Sequence, residues 1–148
     1  MKIFSRKRGG ERRAFFLLFT LTATIGLNAS SPTPKEIQED IHTCKEGGFF
    51  SSRACRVSGS WLSHNGYLAR GKVYLERSCN TGGYVSCRML GNLYYKEYAQ
   101  YNEYMGNNQK KKKILKKSLD YYQEACVRYD YKSCLIVKQM ASKEEREM

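Results

Sequence analysis

The chain has 148 residues, 41% of them hydrophobic, and carries a formal net charge of +12 from 26 basic and 14 acidic side chains. That length suits one small domain rather than several. Two histidines leave little imidazole for acid–base catalysis.

The first 29 residues read as a secretory leader. Lys2, Arg6, Lys7, Arg8, Arg12 and Arg13 form a basic start, Ala14 to Leu27 is a 14-residue apolar run, and Asn28-Ala29-Ser30 supplies a small residue for cleavage after Ala29. The alternative is an uncleaved anchor, but the run falls short of the roughly 18–20 apolar residues a spanning helix needs. No cysteine directly follows the run, so a lipoprotein anchor is not supported. Cleavage would remove six basic residues and Glu11, leaving 20 basic and 13 acidic residues, or +7, on 119 residues. Export places the protein in a secreted or periplasmic compartment, with no membrane span after cleavage.

Residues 30–33 form a short linker. Thr33-Pro34-Lys35-Glu36 is a capping box with proline at the first helical position, so a helix starts at Pro34 and runs to about Cys44. Gly47-Gly48 ends it. A second helix is expected over about Arg53–His64, stopping at Asn65-Gly66, and a third over about Tyr67–Ser78, stopping at Thr81-Gly82-Gly83. The fourth, Val85–Met105, runs to Gly106-Asn107-Asn108, and its 21 residues give it roughly 30 Å. The fifth spans about Lys112–Val127 and turns at Tyr129-Asp130-Tyr131. The sixth begins near Ser133 and frays into a charged tail, 142–148. No alternating strand pattern is present, so the fold is all-α.

Six cysteines sit at three of these turns: Cys44 and Cys55, Cys79 and Cys87, Cys126 and Cys134. The first members of the first two pairs are 35 residues apart and the second members 32, a recurrence typical of repeat arrays. Of the 15 pairings open to six cysteines, adjacent pairing is favoured, because each pair brackets one turn in an oxidising compartment. Zinc is the alternative use, but ligand spacings of two to four residues are absent. No metal or cofactor is expected. A bridge over so short a loop is worth roughly 2–3 kcal/mol in the chain-entropy description. Gly59 and Gly91 each lie four residues after the second cysteine of a pair, which points to close helix approach. Lys138 takes that place in the last unit, as expected of a terminal cap.

Tyr94, Tyr98, Tyr101 and Met105 share one helical face, flanked by Tyr95 and Tyr104. Such a face can anchor a protein or peptide, or pack on the next helix against Tyr121 and Tyr122, which is the commoner use. Lys110, Lys111, Lys112 and Lys113 open the fifth helix and could engage an anionic envelope component; a solvated loop is the plainer reading. Nucleic acid is not expected, because no nucleic-acid fold motif is present. The tyrosine face and the lysines together make the candidate binding edge. No catalytic residue is assigned: His42 and His64 read as surface or turn residues, and neither a His-Glu-x-x-His nor a Gly-x-Ser-x-Gly motif occurs.

Ser78-Cys79-Asn80-Thr81-Gly82-Gly83-Tyr84-Val85-Ser86-Cys87, followed by Leu90-Gly91 and Tyr94, resembles the junction of two Sel1-like repeats. Lys117 to Cys126 resembles the second helix of one. Among Sel1-like proteins the disulfide-bearing branch is the Helicobacter cysteine-rich protein family, and the likeness covers roughly Lys35 to Met140. The resemblance implies an α-solenoid of about three helical hairpins over 34–141, in a bacterial exported protein that binds proteins or peptides. It also implies an alternative, a β-lactam-binding protein or β-lactamase-type hydrolase. The Ser-x-x-Lys, Ser-Asp-Asn and Lys-Thr-Gly motifs of serine β-lactamases are all missing.

Overall fold

The computed structural model describes residues 31–101 and 108–147, with side chains described through Ser142. The expected leader lies outside these residues, as do Tyr104, Met105 and Gly106. Six helices follow one another: α1 (Pro34–Glu46), α2 (Ser51–His64), α3 (Leu68–Asn80), α4 (Tyr84–Gln100), α5 (Asn108–Val127) and α6 (Tyr131–Glu147). No strand occurs among the described residues.

The start of α1 is the expected capping box. The Thr33 hydroxyl accepts from the Glu36 backbone N–H at 3.3 Å, and the Glu36 carboxylate accepts from the Thr33 backbone N–H at 2.6 Å. That backbone hydrogen bond also holds the Glu36 carboxyl below its ordinary pKa. At the other end Gly47, at φ +83°, closes the helix.

Each helix packs mainly on its neighbours in the chain. Glycine sets the closest approach. A Cβ on Gly59 of α2 would stand 2.9 Å from both the Gly71 carbonyl oxygen and the Leu75 nitrogen of α3, and one on Gly71 would stand 2.8 Å from the Gly59 oxygen. Backbone meets backbone at this crossing. Between α4 and α5 the equivalent glycine, Gly91, lies against the ring of Tyr122, 2.8 Å from where its Cβ would be. The Ser118 hydroxyl donates to the Gly91 carbonyl at 2.9 Å and locks the same crossing.

Two hydrophobic clusters result, and α3 serves both. Its Tyr74 joins Ile37, Ile41, Ala54 and Leu62. Its Leu75, one residue later and fully buried, joins Leu90, Tyr94, Ile114 and Ala125. The helix pairs within each disulfide-bridged hairpin run close together over a shorter stretch than the glycine-packed pairs between hairpins. The bridges Cys44–Cys55, Cys79–Cys87 and Cys126–Cys134 fasten those hairpins, with Cα–Cα distances of 4.8, 4.8 and 4.7 Å. The first two bridges are themselves core, since their four cysteines are buried in the two clusters.

Three boundaries differ from the expectation. The α4 helix stops at Gln100 instead of Met105, so it has 17 residues and is about 25 Å long. Tyr101 leaves the helix with ψ 104° and turns its ring onto the second cluster. The α5 helix starts at Asn108 instead of about Lys112, which brings all of Lys110–Lys113 into its first turns. The α6 helix continues to Glu147, through the segment expected to fray.

Candidate interface on the fourth and fifth helices

The tyrosine face of α4 meets α5. Tyr94 is 8% exposed, and its ring stacks on Tyr121 with centroids 5.6 Å apart and planes 6° from parallel. Both phenols donate to one carboxylate oxygen of Glu76 on α3, Tyr121 at 3.0 Å and Tyr94 at 3.5 Å. Lys72, one turn before Glu76, sets its ammonium 4.0 Å from the Tyr94 ring centroid and 2.5 Å from Glu97 of α4. Lys117 approaches the same ring at 5.4 Å. Burial, followed by the nearby Glu76 carboxylate, pushes both phenols above their ordinary pKa, Tyr121 strongly. Tyr94 is therefore core, and it is withdrawn from the candidate binding residues. It sits where three helices converge, and a ring there is worth more as packing than as a contact surface.

Tyr98 and Tyr101 stay at the rim of this seam, half-buried against the second cluster. The lysines come to them. Lys111 places its ammonium 5.4 Å from the Tyr98 ring and Lys110 places its own 5.9 Å from Tyr101. A cation at a helix N-terminus opposes the macrodipole. A ring face within about 6 Å returns roughly 0.5–1 kcal/mol at an exposed site, which offsets that cost. Lys112 and Lys113 are exposed, and the Ile114 that follows them is buried. The structure thus joins Tyr98 and Tyr101 to Lys110 and Lys111 in one edge, and leaves Lys112 and Lys113 on the solvent side.

The last turns of α4 also border an open groove. Ser63 and His64 of α2, Leu68 and Lys72 of α3, and Lys96 and Gln100 of α4 line it, with the Lys72–Glu97 ion pair across it. His64 has its Nδ1 2.8 Å from the Ser60 carbonyl. Composition alone gave no sign of this groove.

The buried Ser78, Ser86, Ser118 and Ser133 are held in hydrogen bonds within the fold. Ser86 donates to the Ser78 hydroxyl at 2.7 Å, and the Ser52 and Ser78 hydroxyls are 3.2 Å apart. Ser133 donates to Asp130 at 2.5 Å, while Ser118 is held by Gly91. Among the described residues no group of three or more His, Cys, Asp or Glu is placed to hold a metal ion, and no helix is long and apolar enough to cross a membrane. Comparison with protein-family models, with curated proteins and with solved structures finds no match.

Proposed function

We propose that this is an exported binding scaffold, a short solenoid of Sel1-like hairpins that holds an extended peptide or a protein segment. The observation that carries this reading is the double use of the last two turns of α4. Glu97 and Gln100 border the open groove on one side, while Tyr98 and Tyr101, with Lys110 and Lys111, form the rim on the other. Aromatic rings with a charged rim are a common interface arrangement. The three disulfides and the lack of a spanning helix among the described residues are compatible with work outside the cytoplasm.

Photo-crosslinking tests it. A benzoyl-phenylalanine at Gln100 should capture a partner from envelope or medium fractions, and the same probe at Lys138 on the capping helix should not. Equal capture at both positions would defeat the assignment of the surface. The β-lactam hydrolase implied by the same resemblance has its own test. Turnover of nitrocefin by the oxidised protein, abolished by one substitution, would replace the scaffold reading with an enzyme.

A further inference from the structure

The three disulfide turns lie side by side. The Ser52 hydroxyl at the start of α2 reaches Ser78 at the end of α3, which joins the first turn to the second. Arg128 of the third turn donates to the Cys79 carbonyl, and Arg88 beside the second pairs with Asp130 of the third at 2.6 Å. These bonds set the turns in a row along one edge of the molecule.

Each turn points an aromatic ring away from the protein at the same place. Phe49, Tyr84 and Tyr131 all lie five residues after the first cysteine of their pair, and they are 94%, 45% and 72% exposed. The register repeats at the third residue after that cysteine as well. Gly47 and Gly82 take positive φ there, and so does Tyr129, at φ +67°. A left-handed conformation costs a residue with a Cβ roughly 1–2 kcal/mol, which is why glycine is usual there. Here a tyrosine occupies it with its side chain almost wholly in solvent, 96% exposed. The backbone hydrogen bonds that end α5, Tyr129 N–H to the Cys126 carbonyl at 2.9 Å and Asp130 N–H to the Ala125 carbonyl at 3.0 Å, hold that conformation, and the ring itself packs on nothing.

The charge beside the rings is mainly positive. Lys45, Arg53, Arg77 and Lys132 are exposed along these turns, with Glu46 and Glu124 the exposed acids beside them. Glu124 pairs with Arg128, Asp40 lies near Arg53, and Asp130 is buried against Arg88.

We propose that this edge docks on an anionic lipid surface, with the rings of Phe49 and the exposed Phe50 on the first turn, Tyr84 on the second and Tyr129 and Tyr131 on the third at headgroup depth, and the four cations over the phosphates. Rings at the tips of separate turns make a line of protrusions with no packed centre, unlike a protein interface, whose hot spots cluster in a well-packed core. A bilayer interface needs no matching shape, and it collects aromatic residues at the headgroup level. Each basic residue near an anionic leaflet adds about 1 kcal/mol. This edge is distinct from the groove and the α4–α5 rim, so either surface can fail its test while the other stands.

The test uses the oxidised protein as exported, mixed with vesicles of phosphatidylcholine containing phosphatidylglycerol. Tyr129→Trp should shift its emission to the blue and be quenched by brominated lipid, whereas Tyr95→Trp on α4 should do neither. That local readout does not depend on whether any leader remains. Combined F49S, F50S, Y129G and Y131S should weaken vesicle binding about tenfold or more, with the helical circular dichroism unchanged. Binding should also weaken as salt is raised. An unquenched Tyr129→Trp, or equal binding to pure phosphatidylcholine, would overturn the proposal. So would self-association in lipid-free sedimentation that the same four substitutions abolish, since the edge would then be a contact between copies of this chain.

Discussion

Glu76 is the residue on which three helices agree. It accepts from Tyr94 of α4 and Tyr121 of α5 while sitting on α3, and its negative charge disfavours the phenolate of either. The sign of the pH dependence follows. A phenol whose pKa is raised by folding holds its proton more tightly in the native state. Its contribution to stability is complete below the ordinary phenol pKa of about 10 and is lost as pH rises through the folded value. Urea midpoints measured from pH 8 to 12 should therefore hold level to about 10 and then fall. Tyr121→Phe should lower stability at neutral pH and make the alkaline fall shallower. An identical alkaline slope in that variant would contradict the account. In the sequence Tyr94, Tyr98 and Tyr101 were visible as a stripe, and packing on the next helix, against Tyr121 and Tyr122, was the favoured expectation over a binding face; the part played by Glu76 was not legible. Periodicity shows which side chains share a face and says nothing of what covers it. The part that sequence could not supply was Glu76, 18 residues before Tyr94, which accepts from both phenols.

At the scale of helix pairs, glycine and the disulfide turns divide the work. Gly59 faces backbone that cannot move aside, whereas Gly91 faces a ring held by the Tyr122–Asn92 hydrogen bond of 2.7 Å. Overpacking typically costs 1–3 kcal/mol. Gly91→Ala should lose about 1–2 kcal/mol in chemical denaturation and Gly59→Ala more, and the reverse order would show that the α2–α3 crossing is looser than described. The third turn adds an ionic tie. Asp130 caps α6 by accepting from the Ser133 N–H at 3.2 Å, and it also holds Arg88 of α4. Asp130→Ala removes a cap and strands a partly buried guanidinium, so it should cost about 2–4 kcal/mol. A loss under 0.5 kcal/mol would mean that the tie carries no weight. Much at this scale was legible. The capping box, the glycine stops and the cysteine-bracketed turns are local signals, written within a few residues. The end of α4 was not, because no glycine or proline marks Gln100. Tyr101 leaves the helix to reach the second cluster, which is a tertiary cause. The start of α5 was missed for a related reason. Four lysines read as solvated chain until the rings of Tyr98 and Tyr101 are placed beside two of them.

For the whole molecule, the account is a row of helices packed in chain order, stapled at three turns that share one edge. The proposed uses of the groove and of the aromatic edge both depend on that order, since it puts the cysteine turns together and the ends of α2 and α4 together. The repeat recurrence, the all-helical class and the placing of the cysteines at turns could be read from the sequence. The groove could not, because it needs the ends of α2 and α4 to be set beside one another, and the left-handed Tyr129 could not, because a tyrosine stands where glycine would mark that conformation. Non-reducing peptide mapping of the native protein tests the arrangement most directly. It should recover three bridges, 44–55, 79–87 and 126–134, with no free thiol. A bridge joining cysteines of different turns would contradict it.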